Sequence, residues 1–113
     1  MIDETRRRLA DMRAYARLTG RLLGERKLGD FLEDEQVRFA VYYALLVLGE
    51  ASNSAPGPVR GQLPDVPWAR LKGLRNRLVH AYFSIDAGTL YALVRRDMPQ
   101  LLHTLEQAQI QEP

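Results

Sequence analysis

The chain has 113 residues, 46% of them hydrophobic and 27% charged, and its net charge is only +2. That length suits one domain with a modest core, and the composition excludes a disordered chain. Cysteine is absent, which excludes disulfides and thiolate metal sites and points to a reducing compartment.

The N-terminal run Met1-Ile2-Asp3-Glu4-Thr5-Arg6-Arg7-Arg8 has no apolar segment behind it and does not read as a signal peptide. A first helix is expected from about Asp3 to Gly24. Leu9, Met12, Ala16, Thr19 and Leu23 recur at spacings of three and four and form one narrow stripe. Arg6, Arg13, Arg17 and Arg21 fall largely off it, and Gly24 or Gly29 supplies the stop.

A second helix is expected to start with Asp30 as N-cap and Glu33 three residues on, in the pattern of a capping box. Val37, Ala40, Ala44, Val47 and Ala51 make one apolar stripe, with Val41, Leu45 and Leu48 beside it. A helix apolar over so wide an arc is central to a bundle or packs on a second subunit as well. Its longest apolar stretch, Ala40 to Gly49, is far below the ~20 residues that span a bilayer, so the chain is expected to be cytoplasmic, without membrane contact. Ser52 to Pro58 reads as a loop.

The third helix follows Pro64-Asp65-Val66-Pro67-Trp68, capped at Asp65 or Val66, with Leu71, Leu74, Leu78 and Ala81 as its core stripe. Asp86 is the expected N-cap of the last helix, whose apolar face is Leu90, Leu93, Val94, Leu101, Leu105 and Ala108. Pro99 should kink or split that helix near Asp97. No segment alternates as a strand does. The reading is an all-α, up-and-down bundle of four to five helices, one domain over residues 1–113 with a disordered tail over 107–113.

Few residues offer chemistry. His103 stands among leucines and reads as a boundary residue, whereas His80 lies beside Arg75, Asn76 and Arg77. The chain has no HxxxH or HxxE set, no GxGxxG, no GxxxxGK[ST] and no GxSxG, so neither metal nor cofactor is expected. Arg60, Arg70, Lys72, Arg75 and Arg77 stand against Asp65 alone between residues 60 and 80. This patch suits phosphate, with Lys72 and Arg77 as candidate contacts, but by charge alone it suits a solvated helix face better.

Residues on a helix advance by about 100° each, so Asn76 and His80 share a face, opposite Leu71 and Leu78. Arg75 lies about 140° from His80 by the same arithmetic. The two meet only if the helix ends near His80 or if a symmetry mate joins them across a dimer axis. A histidine shuttles a proton near neutral pH, an arginine clamps a phosphate, and an asparagine orients either. Arg75, Asn76 and His80 would together suit metal-independent RNA cleavage, with the 2′-hydroxyl attacking the adjacent phosphate. The same three residues would equally cap and pin a helix end.

The segment Arg75-Asn76-Arg77-Leu78-Val79-His80-Ala81-Tyr82 resembles the R-x4-H-x-Y motif of HepT-like proteins, a branch of the HEPN superfamily. Val47-Leu48-Gly49-Glu50-Ala51 resembles the family's IGEA block, Leu63 to Trp68 its P-x-[IV]-P-W segment, and Leu74-Arg75-Asn76 its GMRN. Ile85-Asp86 and Asp97-Met98-Pro99 match later "ID" and "LP" positions. The resemblance covers about residues 30 to 106. Tyr42-Tyr43-Ala44-Leu45 departs from it, replacing a stretch that is usually more polar, and makes that helix face aromatic enough for a subunit interface.

The resemblance implies a HEPN bundle that forms a homodimer with the motif near the two-fold axis. It implies an RNase toxin with Arg75 and His80 catalytic and Asn76 beside them. It also implies a partner antitoxin, a minimal nucleotidyltransferase of the MntA kind, which uses ATP to place AMP on Tyr82. Bulk and negative charge at Tyr82 would then repel RNA. A competing expectation is a non-catalytic dimer that binds the transferase and shapes a nucleotide or interface site. A weaker one is a structural dimer whose motif has lost its function.

Overall fold

A computed structural model of the chain describes residues 2–81 and 84–108. These residues form seven helices: α1 (Ile2–Leu23), α2 (Leu28–Glu33), α3 (Glu35–Asn53), α4 (Gly57–Gln62), α5 (Trp68–His80), α6 (Ala87–Arg96) and α7 (Met98–Gln107). No strand occurs among the described residues, and none of the helices is long and apolar enough to cross a membrane. The all-α bundle expected from periodicity is therefore present. Two of its helices, α2 and α4, are only six residues long.

The stripe on α1 is buried as its spacing demands: Leu9, Met12, Ala16, Thr19 and Leu23 are all at most 2% exposed. Gly24 ends the helix with φ +53°, a left-handed conformation that glycine adopts without a Cβ penalty. Its N–H donates to the Gly20 carbonyl at 2.9 Å.

The second expected helix is divided. Asp30 does not cap the long helix; it lies inside α2, where its carboxylate accepts from the Lys27 N–H at 3.3 Å. The cap of α3 is Asp34, whose Oδ1 accepts from the Val37 N–H at 3.1 Å. The break follows from tertiary packing. The separate turn of α2 carries Phe31 into the core, fully buried, with its ring 5.7 Å from that of Tyr91 on α6. Asp34 is extended between the two helices.

The expected loop, Ser52 to Pro58, is shorter in the fold: α3 continues to Asn53, and α4 begins at Gly57 with Pro58 in its first turn. Helix α4 buries Val59 against the core. The cap of α5 is the backbone of Pro67, not the side chain of Asp65, and no side chain caps this end. Trp68 ties the end down instead, its indole N–H donating to the Leu63 carbonyl at 3.0 Å. Asp86 caps α6 as expected, accepting from the Thr89 N–H at 3.0 Å. The expected split falls between α6 and α7, with Pro99 in the first turn of α7. Helix α7 extends through Gln107, and residues 109–113 of the expected tail lie outside the described residues.

Helices α1 and α3 form the central pair. Helices α7 and α6 pack on α1, and α5 packs on α3; α5 also faces the α6–α7 junction across a cavity lined by Leu71, Leu74, Leu93 and Leu101. The molecule is flat, with extents of 49 × 28 × 19 Å. Helix α5, which carries the R-x4-H segment, is an edge element whose main neighbour is α3.

Candidate functional site at the junction of α3 and α5

The junction is set by one glycine. A Cβ at Gly49 would stand 2.7 Å from the Cβ of Arg75 and 3.3 Å from its Cα. Only a residue without a side chain lets α5 approach α3 this closely. A glycine inside an otherwise helical run costs about 1 kcal/mol relative to alanine, so its presence in Val47-Leu48-Gly49-Glu50 signals a packing requirement. About two turns back along α3 from Gly49, the Tyr42 hydroxyl donates to the Leu78 carbonyl and holds the C-terminal half of α5 on α3.

Arg75 emerges at this contact. Its Nε donates to Oε1 of Glu50, the residue after Gly49, and its Nη1 donates to Oδ1 of Asn76 at 3.2 Å. Its side chain is 26% exposed, so it is partly enclosed while its end still reaches solvent. The sequence places Glu50 only within the block that resembles IGEA, and Tyr42 only within an aromatic stretch suited to a subunit interface; it joins neither to α5, whereas the fold sets Glu50 on Arg75 and the Tyr42 hydroxyl on the Leu78 carbonyl.

Helix α5 remains α-helical up to His80, and Ala81 is its C-cap. The end of the helix therefore comes too late to bend His80 back toward Arg75. The two stay about 140° apart round the same helix, and one chain does not bring them together. Asn76 and His80 do share a face, and both are exposed. No hydrogen bond engages the His80 side chain among the described residues.

Helical rotation defines the surface these residues share. Measured from Arg75, where α5 meets α3, Val79, Lys72, Asn76 and His80 lie at about 40°, 60°, 100° and 140°. Measured from Gly49 on α3, Phe39, Glu50 and Tyr43 lie at about 80°, 100° and 120°. Leu48 and Leu78, both buried, lie on the other side of the contact line on their helices. Because α3 and α5 run antiparallel, the two sets form one outward surface. On it, Phe39, Tyr43 and Val79 are 66%, 60% and 40% exposed.

Lys72 belongs to this surface, but Arg77 does not. Arg77 lies about 200° from Arg75, on the flank away from α3. The basic patch of residues 60–80 is also dispersed by the fold. Arg60 donates to the Asn53 carbonyl at 3.2 Å, Arg70 pairs with Asp97 at 3.2 Å, and Arg75 pairs with Glu50. Among the described residues no cluster of His, Cys, Asp and Glu could hold a metal ion. Tyr82, the expected modification site, lies outside the described residues.

Residues 12–108 match the family model described as "Ribonuclease HepT-like". A protein of Thermococcus cleftensis named "Probable ribonuclease HepT" is 40% identical over 72 residues, covering 64% of this chain and 66% of that protein. A Methanocaldococcus jannaschii protein named as a "Putative RNase" is 39% identical over 77 residues, or 68% of this chain and 71% of the relative. Another "Putative RNase", from Caldanaerobacter subterraneus, is 29% identical over 72 residues, 64% of each chain. The aligned segments thus span about two thirds of these relatives' lengths. No solved structure matches the chain.

Proposed function

The chain belongs to the HepT-like ribonuclease family, and we propose that it is a metal-independent endoribonuclease acting as the toxin of a toxin–antitoxin pair. The observation that carries this reading is the held guanidinium of Arg75, with exposed Asn76 beside it and exposed His80 one turn further on. In the proposed reaction His80 takes the proton from a ribose 2′-hydroxyl as that oxygen attacks the adjacent phosphorus. The bond to the 5′-oxygen breaks, and that oxygen leaves with a proton supplied by an imidazolium. Arg75 binds the non-bridging phosphate oxygens and stabilises the charge that builds on them.

The separation of Arg75 and His80 round α5 supports a homodimer, in which His80 of one copy faces Arg75 of the other. The exposed Phe39, Tyr43 and Val79 on the same surface support burial against a second copy. The proposed antitoxin is a minimal nucleotidyltransferase. The Tyr82 hydroxyl oxygen attacks the α-phosphorus of ATP, pyrophosphate leaves, and the tyrosine carries AMP. The added negative charge then repels RNA phosphate from the clamp.

The test is cleavage of a fluorescent single-stranded RNA by purified protein in the presence of a chelator. Wild type cuts; His80→Ala loses about a hundredfold or more of the rate, the range for a positioned general acid or base. Full cleavage by His80→Ala refutes the mechanism. The same separation of Arg75 and His80 favours a second reading, a non-catalytic dimer that serves as partner of the transferase. Tight binding to the transferase by a wild-type protein that cuts no RNA would establish it.

A further inference from the structure

We propose that Glu50 is the positioning residue of this site: it fixes which edge of the Arg75 guanidinium is turned outward to take the scissile phosphate. This rests on the nuclease reading above. A free arginine samples many rotamers and offers five N–H donors in all directions. Here two of its edges are committed. Glu50 accepts from Nε on the α3 side, and Asn76 accepts from Nη1 at 3.2 Å along α5. Among the described residues no hydrogen bond engages Nη2, so the end of the guanidinium formed by Nη1 and Nη2 is the part left for a phosphate. Two N–H groups pointing the same way match two oxygens of one phosphate.

The geometry upstream of Glu50 serves the same end. Gly49 brings the Arg75 backbone against α3, with only 2.7 Å between the Arg75 Cβ and the place where a Cβ at Gly49 would stand. Arg75 therefore starts its side chain beside Glu50 and meets it without spanning a gap. The carboxylate is half exposed, at 50%, so it is not buried to hold the fold together. Such an exposed pair contributes little to stability. It also places a negative charge at a surface meant for a polyanion, which costs RNA affinity. A charge that weakens binding and adds little stability is accounted for if its return comes in the transition state, through orientation.

The two roles separate in kinetics. If Glu50 orients Arg75, Glu50→Ala lowers kcat by about tenfold or more, while KM stays level or falls because a repelling charge has gone. Glu50→Gln keeps an oxygen that accepts from Nε, so it retains more kcat than Glu50→Ala. In an Arg75→Ala background Glu50→Ala has no further effect, since its target is absent. Thermal midpoints of the variants stay close to wild type.

The experiment measures kcat and KM on the fluorescent RNA for these four proteins and wild type, using the full chain. Unchanged kcat in Glu50→Ala overturns the proposal, as does an equal loss in the Arg75→Ala background. A loss confined to KM also overturns it. A wild-type protein that cuts no RNA removes the nuclease reading first and this proposal with it. Cleavage by wild type with an indifferent Glu50→Ala removes this proposal alone.

Discussion

Replacing Gly49 by alanine tests the contact on which the site is built. The new Cβ would stand 2.7 Å from the Arg75 Cβ, 3.2 Å from its Cγ and 3.3 Å from its Cα. Two of these atoms belong to the base of Arg75 rather than to a movable tip, so α5 must shift away from α3 by the better part of an ångström. Overpacking of this kind costs about 1–3 kcal/mol. Alanine returns about 1 kcal/mol through its better helix propensity. The expected net is a loss of up to about 2 kcal/mol, or up to roughly 10 °C in the thermal midpoint for a chain of this size. The assay is thermal unfolding by circular dichroism, with Gly20→Ala as control. A Cβ at Gly20 meets nothing within 4 Å, so that variant should gain about 0.5–1 kcal/mol. Gly49→Ala should also lower RNA cleavage, because Arg75 moves from Glu50. A Gly49→Ala protein as stable as Gly20→Ala would refute the claim that this glycine sets the distance between the helices.

Asp34→Ala removes the side-chain cap of α3 and should cost about 1 kcal/mol, seen as a lower urea midpoint at unchanged slope. Tyr42→Phe keeps the ring and deletes the hydroxyl that donates to the Leu78 carbonyl. It should cost about 1 kcal/mol and increase amide exchange in the last turn of α5, and unchanged exchange there would argue against Tyr42 as the clasp. Phe39→Asp together with Tyr43→Asp should lower the mass in solution from dimer to monomer by light scattering, whereas a dimer that persists would place the interface elsewhere. Wild-type cleavage should survive a chelator undiminished, and loss that returns with added magnesium would contradict metal-independent chemistry.

The helices were legible in the sequence because their signals are local. The stripe of Leu9, Met12, Ala16, Thr19 and Leu23 needs only the helical period, and the fold buries all five. Asp86 and Pro99 act within one turn, as a cap and a starting residue, and they do so here. The same local rules put the cap of the long helix at Asp30. The fold puts it at Asp34, because Phe31 is drawn into the core against Tyr91 and takes Asp30 into a separate turn.

The motif segment likewise showed its face but not its partners. That Asn76 and His80 share one side of α5, and that Arg75 does not, follows from residue spacing alone. What Arg75 touches depends on which helix lies beside α5 and how near it comes. Glu50 and Gly49 are 25 or more residues away in the chain, and no local rule joins them to Arg75. Tertiary packing made that link by setting α5 on the edge of the bundle against α3, with a glycine at the crossing. It also scattered the arginines of residues 60–80, giving Arg60 and Arg70 to other partners. The sequence by itself determined the helices, their faces and the motif, because period, caps and spacing act over a few residues. Only the tertiary structure decided which arginine is held and by what, because that is a contact between distant parts of the chain.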